Sequence, residues 1–225
     1  MRRNRNIVSQ VSVLELPAAA SQAPTAAAPV ALSGQDRRIV EAALRCFARW
    51  GVGKTTLDDV AREAGYSRAT VYRLFPGGKD ALVDTVARTE VASFLDAIAA
   101  RLDDVADDGL EEVLVVGMAE AGRRFSSHAA LQYLLAHEPE IVLPKLAFAQ
   151  MDEVLRTAAT FAGLWLARWL DEESAARVAE WAARILLSYA SCPADGIDIG
   201  DEASIRSLVR TFVLPGTLPE GEHSA

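Results

Sequence analysis

Between residues 36 and 75 the apolar positions fall at helical spacing in three short blocks. Ile39, Val40, Ala43, Leu44, Phe47 and Trp50 recur every three or four residues and form one stripe, which predicts an amphipathic helix. Gly51 and Gly53 are expected to stop it. Thr56 is placed to cap a second, shorter helix carrying Leu57, Val60, Ala61 and Ala64, and Asp58 and Asp59 suit its electropositive first turn. Gly65 ends that helix. Ser67 caps a third, in which Val71 and Leu74 face inward and which Phe75-Pro76-Gly77-Gly78 closes. A long helix then starts near Lys79 with Leu82, Val83, Val86, Val91, Phe94, Leu95 and Ile98 along it, and ends at the acidic stretch from Asp103 to Asp108. Helical blocks follow at about 109–122, 126–137, 144–169, 172–192 and 201–213, punctuated by Gly109, Pro139, Pro144, Asp171 and the Pro193–Gly200 stretch.

Before residue 35 the pattern is absent. Two alanine triplets and Pro17, Pro24 and Pro29 block a continuous helix and offer little core, so residues 1–34 are read as a disordered Ala/Pro-rich tail. Residues 35–80 form the three-helix domain and 81–225 a second, helical domain. Composition agrees: hydrophobic residues make up 51% of the chain but aromatics only 7%, and Ala and Leu dominate over β-branched runs. The fold class expected is all-α. The N-terminus lacks the apolar stretch of a signal peptide, and no run of ~20 apolar residues could span a membrane. A cytoplasmic location without membrane contact follows as the expectation.

The net charge of -8 argues at first against a nucleic-acid partner. Its distribution reverses that inference. Residues 1–80 carry 12 Lys+Arg against 7 Asp+Glu, net +5, and the remainder of the chain carries -13. A basic end on an acidic protein is suited to a polyanion.

Three short helices with a glycine turn between the second and third make a helix-turn-helix, whose third helix enters the major groove of DNA. The exposed side of that helix would present Arg68, Ala69, Thr70, Tyr72 and Arg73, a set of donors and small groups for phosphates and base edges. The run Thr55-Thr56-Leu57-Asp58-Asp59-Val60-Ala61-Arg62-Glu63-Ala64-Gly65-Tyr66-Ser67-Arg68-Ala69-Thr70-Val71-Tyr72-Arg73-Leu74-Phe75 closely resembles the DNA-binding signature of the tetracycline-repressor (TetR/AcrR) family. The resemblance continues through Lys79-Asp80-Ala81-Leu82 and covers roughly residues 37–90. It implies a ligand-responsive regulator, a repressor more often than an activator, and not an enzyme. By resemblance, Thr56, Thr70, Tyr72 and Lys79 hold phosphates, while Arg68, Ala69 and Arg73 face bases or flanking phosphates. Two positions depart from the pattern: Leu74 stands where the family often has a polar ring, and Pro76-Gly77-Gly78-Lys79 is one residue longer than the common spacing.

The family's pairing through its last two helices suggests a homodimer on an inverted-repeat operator. Small residues Ala175, Ala176, Ala179, Ala182 and Ala183 with Leu186, and the stripe Ile205, Leu208, Val209 and Phe212, are assigned to that surface. The middle region is expected to enclose an apolar effector pocket lined by Phe94, Met118, Phe125, Phe148, Met151, Trp165 and Trp169.

Other motifs carry less. Gly51-Val52-Gly53-Lys54-Thr55-Thr56 mimics the end of a phosphate-binding loop, but Ala48 replaces the leading glycine and a helix replaces the strand. It is read as the turn between the first two helices. His128 and His137 have no partner at helical spacing, Asp103, Asp104, Asp107 and Asp108 lack calcium-loop order and are read as a solvated linker, and Arg62 and Glu63 as solvated surface. Cys46 and Cys192 are read as buried free thiols. No catalytic residue, metal site or cofactor is assigned.

Overall fold

A computed structural model describes residues 33–141 and 151–216. Those residues are helical, with no strand among them, and they divide into two compact units. Of the described residues, the first unit comprises 33–93 together with 128–141, and the second comprises 94–127 with 151–216.

In the first unit, α1 (Gly34–Lys54) begins at a capping box: the Ser33 hydroxyl accepts from Asp36 N–H while the Asp36 carboxylate accepts from Ser33 N–H. The expected stop at Gly51 is a kink instead. Gly51 takes φ 80° and ψ 168° while helical hydrogen bonding resumes as far as Lys54. The Thr55 hydroxyl donates to the Gly51 carbonyl at 2.6 Å, which satisfies a side chain that is otherwise buried. α2 (Leu57–Ala64) and α3 (Arg68–Leu74) follow as the spacing predicts, with Thr56 and Ser67 as their N-caps. Gly65 between them is left-handed at φ 73°, a conformation where a Cβ is strained.

α4 (Gly78–Asp104) supplies Leu82 and Val86 to the core of this unit, alongside Ile39, Val40, Ala43, Cys46, Phe47, Val60, Ala61, Val71 and Phe75. α6 (Ala129–His137) packs on α1 and adds Ala130. The helical unit around the three short helices therefore extends past residue 80 and recruits a segment nearly fifty residues further on.

The second unit contains α5 (Leu110–Ser127), α7 (Met151–Leu166), α8 (Glu172–Ser191) and α9 (Glu202–Leu208), which continues through a π-helical turn at Val209–Val213. α7 and α8 pair most extensively, and α5 packs on both α8 and α9. Val113, Leu114, Met118, Phe161, Trp165, Val178, Ile205 and Val209 are among the buried residues. Gly122 of α5 lies against the Ile199 backbone, so close that a Cβ there would sit 2.5 Å from the Ile199 carbonyl carbon. Arg206 bridges Glu111 and Glu112, and Arg210 also reaches Glu111, which ties α9 and the turn after it to the start of α5.

Three sequence readings are corrected here. Asp103 is not merely solvated: it accepts the Trp165 indole N–H at 3.0 Å. Cys46 is buried, and burial pushes its thiol pKa up, but Cys192 is exposed as the C-cap of α8. Glu63 accepts from the Arg45 guanidinium at 2.7 Å and pins α2 to α1, so it is no idle surface residue.

Candidate nucleic-acid interface

The geometry of the reader starts from its caps. At the N-terminus of α2, the Thr56 hydroxyl accepts from Asp59 N–H at 3.2 Å, while Thr56 N–H donates to the Asp59 carboxylate at 3.0 Å. The Thr56 hydroxyl also donates to that carboxylate, and these hydrogen bonds from Thr56 hold the Asp59 pKa below its ordinary value. At α3, Ser67 accepts from Thr70 N–H, and the two hydroxyls lie 2.9 Å apart. Each helix thus opens with one of its free N–H groups satisfied by its cap side chain.

Beyond the cap, Val71 fills the core and the opposite side of α3 is open. Arg68, Ala69, Tyr72 and Arg73 are all exposed, and Thr70 is half-buried. Tyr72 is conspicuous there because a large ring left outside a core requires another use. The Arg68 guanidinium lies 5.1 Å from the Tyr72 ring centroid and donates to the Tyr72 hydroxyl at 3.3 Å. It also pairs with Asp58 on α2 at 3.0 Å. Arg68 and Tyr72 consequently form one presented group, steadied from below by a carboxylate. Sequence reasoning did not find Asp58 as the partner of Arg68, because that pairing crosses the turn at Gly65.

Thr56 is exposed at the head of α2, and Lys79 stands at the start of α4 with its ammonium donating to the Gly53 carbonyl at 3.0 Å. Lys79 is thus fastened to the kinked end of α1. A further residue meeting that end was missed. The Glu138 carboxylate accepts from Val52 N–H at 2.8 Å and from Gly53 N–H at 3.1 Å. His128, the N-cap of α6, was missed in a similar way. Its Nδ1 accepts from Leu131 N–H and its Nε2 lies 2.8 Å from the Glu90 carboxylate, which raises the His128 pKa against the opposing effect of burial.

The residues assigned to an effector pocket belong to the second unit and do not share one environment. Met118 and Trp165 are buried, Phe94 and Phe125 are half-buried, and Trp169 is exposed. The Met151 side chain and all of Phe148 lie outside the described residues. A shallow open depression of about 500 Å³ is lined by Arg123, Ser126, Ser127, Asp198, Gly200 and Asp201, none of them aromatic. Of the residues assigned to a pairing surface, Ala175, Ala179, Ala182, Ile205, Leu208 and Val209 are packed within the chain itself. Phe212 remains 61% exposed, and Trp181, which the alanine pattern did not single out, is 60% exposed.

Comparison with known proteins agrees with the reader. Residues 39–86 match the family described as bacterial regulatory proteins, tetR family. The HTH-type transcriptional regulator SrpR of Pseudomonas putida is 32% identical over 136 residues, 55% of this chain and 61% of SrpR. The chain thus matches less than two thirds of that relative's length. Among solved structures, the TetR family repressor AlkX from Dietzia sp., implicated in biodegradation of n-alkanes, superposes with a TM-score of 0.57 at 21% identity, covering 80% of this chain and 98% of AlkX. The fatty acid degradation regulator FadR from Bacillus halodurans gives 0.57 at 15% identity, covering 81% and 97%. At these identities the two structures establish a shared fold.

Proposed function

We propose that the chain is a regulator of the tetR family, whose model its residues 39–86 match, that it represses transcription by binding an inverted-repeat operator as a homodimer, and that a small hydrophobic molecule releases it. The observation that carries the DNA-binding part is the exposed face of α3, where Arg68, Ala69, Tyr72 and Arg73 stand clear of the core beside the capped start of α2. Arg68 and Arg73 suit guanine edges or phosphates, the Tyr72 hydroxyl and Thr70 suit phosphate oxygens, and Ala69 allows close approach to a base. Thr56 and Lys79 flank that face and add phosphate contacts.

A single reader of this size contacts a short half-site, so two copies related by a two-fold axis are required for useful affinity. Trp181 and Phe212 support pairing through α8 and the turn after α9, because large exposed apolar side chains mark association surfaces. The effector reading rests on the aromatic and sulfur-bearing side chains of the second unit and on the similarity to AlkX, implicated in biodegradation of n-alkanes, and to FadR, a fatty acid degradation regulator. Release then requires only that the effector favour the DNA-incompetent state. A tenfold loss of operator affinity corresponds to about 1.4 kcal/mol of coupling.

The test is selection of duplexes from a random pool by the full chain, followed by binding measured across a salt series. An inverted repeat and a steep fall of affinity with salt are the expected results, since each neutralised phosphate releases counterions. Tyr72→Ala should lose most of that binding while keeping the wild-type helical content and melting temperature. Failure to enrich any duplex overturns the reading.

A further inference from the structure

The loop that imitates a phosphate-binding motif does hold an anion, and the anion belongs to the chain. Val52 N–H donates to Glu138 Oε2 at 2.8 Å, and Gly53 N–H donates to both carboxylate oxygens at 3.1 and 3.2 Å. Two glycines make room for it. A Cβ on Gly51 would fall 2.6 Å from the Glu138 Cδ, and one on Gly53 would fall 2.9 Å from Oε1. Gly51 additionally needs its positive φ to turn the following N–H groups toward one point, the geometry of a backbone anion nest. Glu138 ends α6, and its own N–H donates to the Leu134 carbonyl at 2.8 Å, so the carboxylate is delivered by the last turn of a helix docked on α1.

The same turn touches one group assigned to DNA and the chain neighbour of another. The Gly53 carbonyl accepts from the Lys79 ammonium, and the Gly51 carbonyl accepts from the buried Thr55 hydroxyl, immediately before Thr56 caps α2. Hydrogen bonds thus lead from the end of α6, through the turn, to Lys79 at the start of α4 and to Thr55, the residue before the α2 cap.

We propose that Glu138 is a positioning residue for DNA reading: its carboxylate, seated in the 51–53 turn, sets where Thr56 and Lys79 meet the phosphates, and withdrawing it weakens duplex binding without unfolding the reader. This rests on the DNA-binding reading above. Glu138 touches no DNA itself. It makes α6 the part of the first unit whose displacement would loosen the reader.

The experiment uses the full chain and a duplex selected by the wild type. Glu138→Ala should bind that duplex at least tenfold more weakly at near wild-type melting temperature. Gly53→Ala, whose Cβ pushes the carboxylate out while leaving its charge on the chain, should show a similar loss, and Glu138→Gln, with one acceptor oxygen kept, should fall between. The amide proton signals of Val52 and Gly53 should shift in all three variants. Acetate, compared with chloride at equal ionic strength, should refill the empty nest, returning those signals and tightening duplex binding in Glu138→Ala but not in Gly53→Ala. Wild-type affinity in Glu138→Ala overturns the proposal. So does a loss that merely follows the melting temperature and ignores acetate. A wild-type chain that selects no duplex removes the DNA reading instead, and in that case the amide signals still report whether the carboxylate occupies the nest.

Discussion

Replacing Asp58 with Asn removes the acidic group that pairs with Arg68 on the presented face of α3. Asp58 pairs with Arg68 at 3.0 Å, with 65% of the Arg68 side chain and 48% of the Asp58 side chain exposed. Two charges about 4 Å apart in bulk water interact by about 1 kcal/mol, and exposed pairs measure about 0–1 kcal/mol. The pair is therefore weak enough for a phosphate to replace, yet it restricts where the guanidinium rests before DNA arrives. Asp58→Asn frees Arg68 and removes a negative charge facing a polyanion. Binding to duplexes of unrelated sequence should tighten by at most about fivefold, the equivalent of ~1 kcal/mol. The slope of log affinity against log salt should steepen by no more than about one phosphate's worth of counterion release, near 0.9. Affinity for the selected duplex should not rise as much, because Arg68 loses the support that fixes its direction, so the ratio of selected to unrelated binding shrinks. Asp58 also lies in the first turn of α2, where losing an acid removes about 0.3–1 kcal/mol of stability, and a small fall in melting temperature is expected. Fluorescence anisotropy with labelled duplexes over a salt series reads all three quantities. Equal gains for selected and unrelated duplexes would show that Asp58 acts through charge alone and does not orient Arg68. A gain that ignores salt would refute the electrostatic argument altogether.

Thr56→Ala should destabilise the protein by about 1 kcal/mol by removing one half of a capping box, measured by urea unfolding. The same variant should raise the Asp59 pKa toward its ordinary value in a carbon-detected titration. Because the folded pKa of Asp59 is depressed, its contribution to stability is present above the unfolded carboxyl pKa and disappears as pH falls through the folded one, so the difference between wild type and Thr56→Ala should close in acid. Charging the exposed aromatics, as in Trp181→Glu with Phe212→Glu, should convert a dimer to a monomer in sedimentation while leaving helical content unchanged. Medium-chain fatty acids and n-alkanes should release the selected duplex and quench tryptophan fluorescence, whereas small polar metabolites should do neither.

The reader was legible because everything that defines it is local. Thr56, Gly65 and Ser67 act on residues three or four positions away, and the periodicity of Val60, Ala61 and Val71 states which side of each helix is buried. What escaped was every contact made across distance in the chain. Glu138 meets Val52 across 86 residues, Trp165 meets Asp103 across 62, and His128 meets Glu90 across 38. Periodicity tells which face of a helix is apolar but not what covers it. The alanine stripe of α8 illustrates the difference: Ala175, Ala179 and Ala182 suit a close helix approach, and the approach is made within the chain, while Trp181 and Phe212 are left outside. The loop-like motif at Gly51 is read as a turn and not a nucleotide site, yet its Val52 and Gly53 N–H groups hold an anion, because backbone N–H groups favour a carboxylate as they do a phosphate.

The contact between Gly122 and the Ile199 backbone sets a limit on what mutation can explore. An alanine at 122 would have to displace a carbonyl, which is main chain and cannot swing aside as a side chain does. Gly163, in the last turn of α7, is the opposite case: a Cβ there meets nothing within 4 Å, and alanine would add at most about 0.5–1 kcal/mol through helix propensity. A library saturating both codons, sorted for function in cells, should therefore return glycine almost alone at 122 and a broad spectrum at 163. Two glycines that look alike in the sequence would diverge in lineages descended from this chain, one frozen by its neighbour and the other drifting freely.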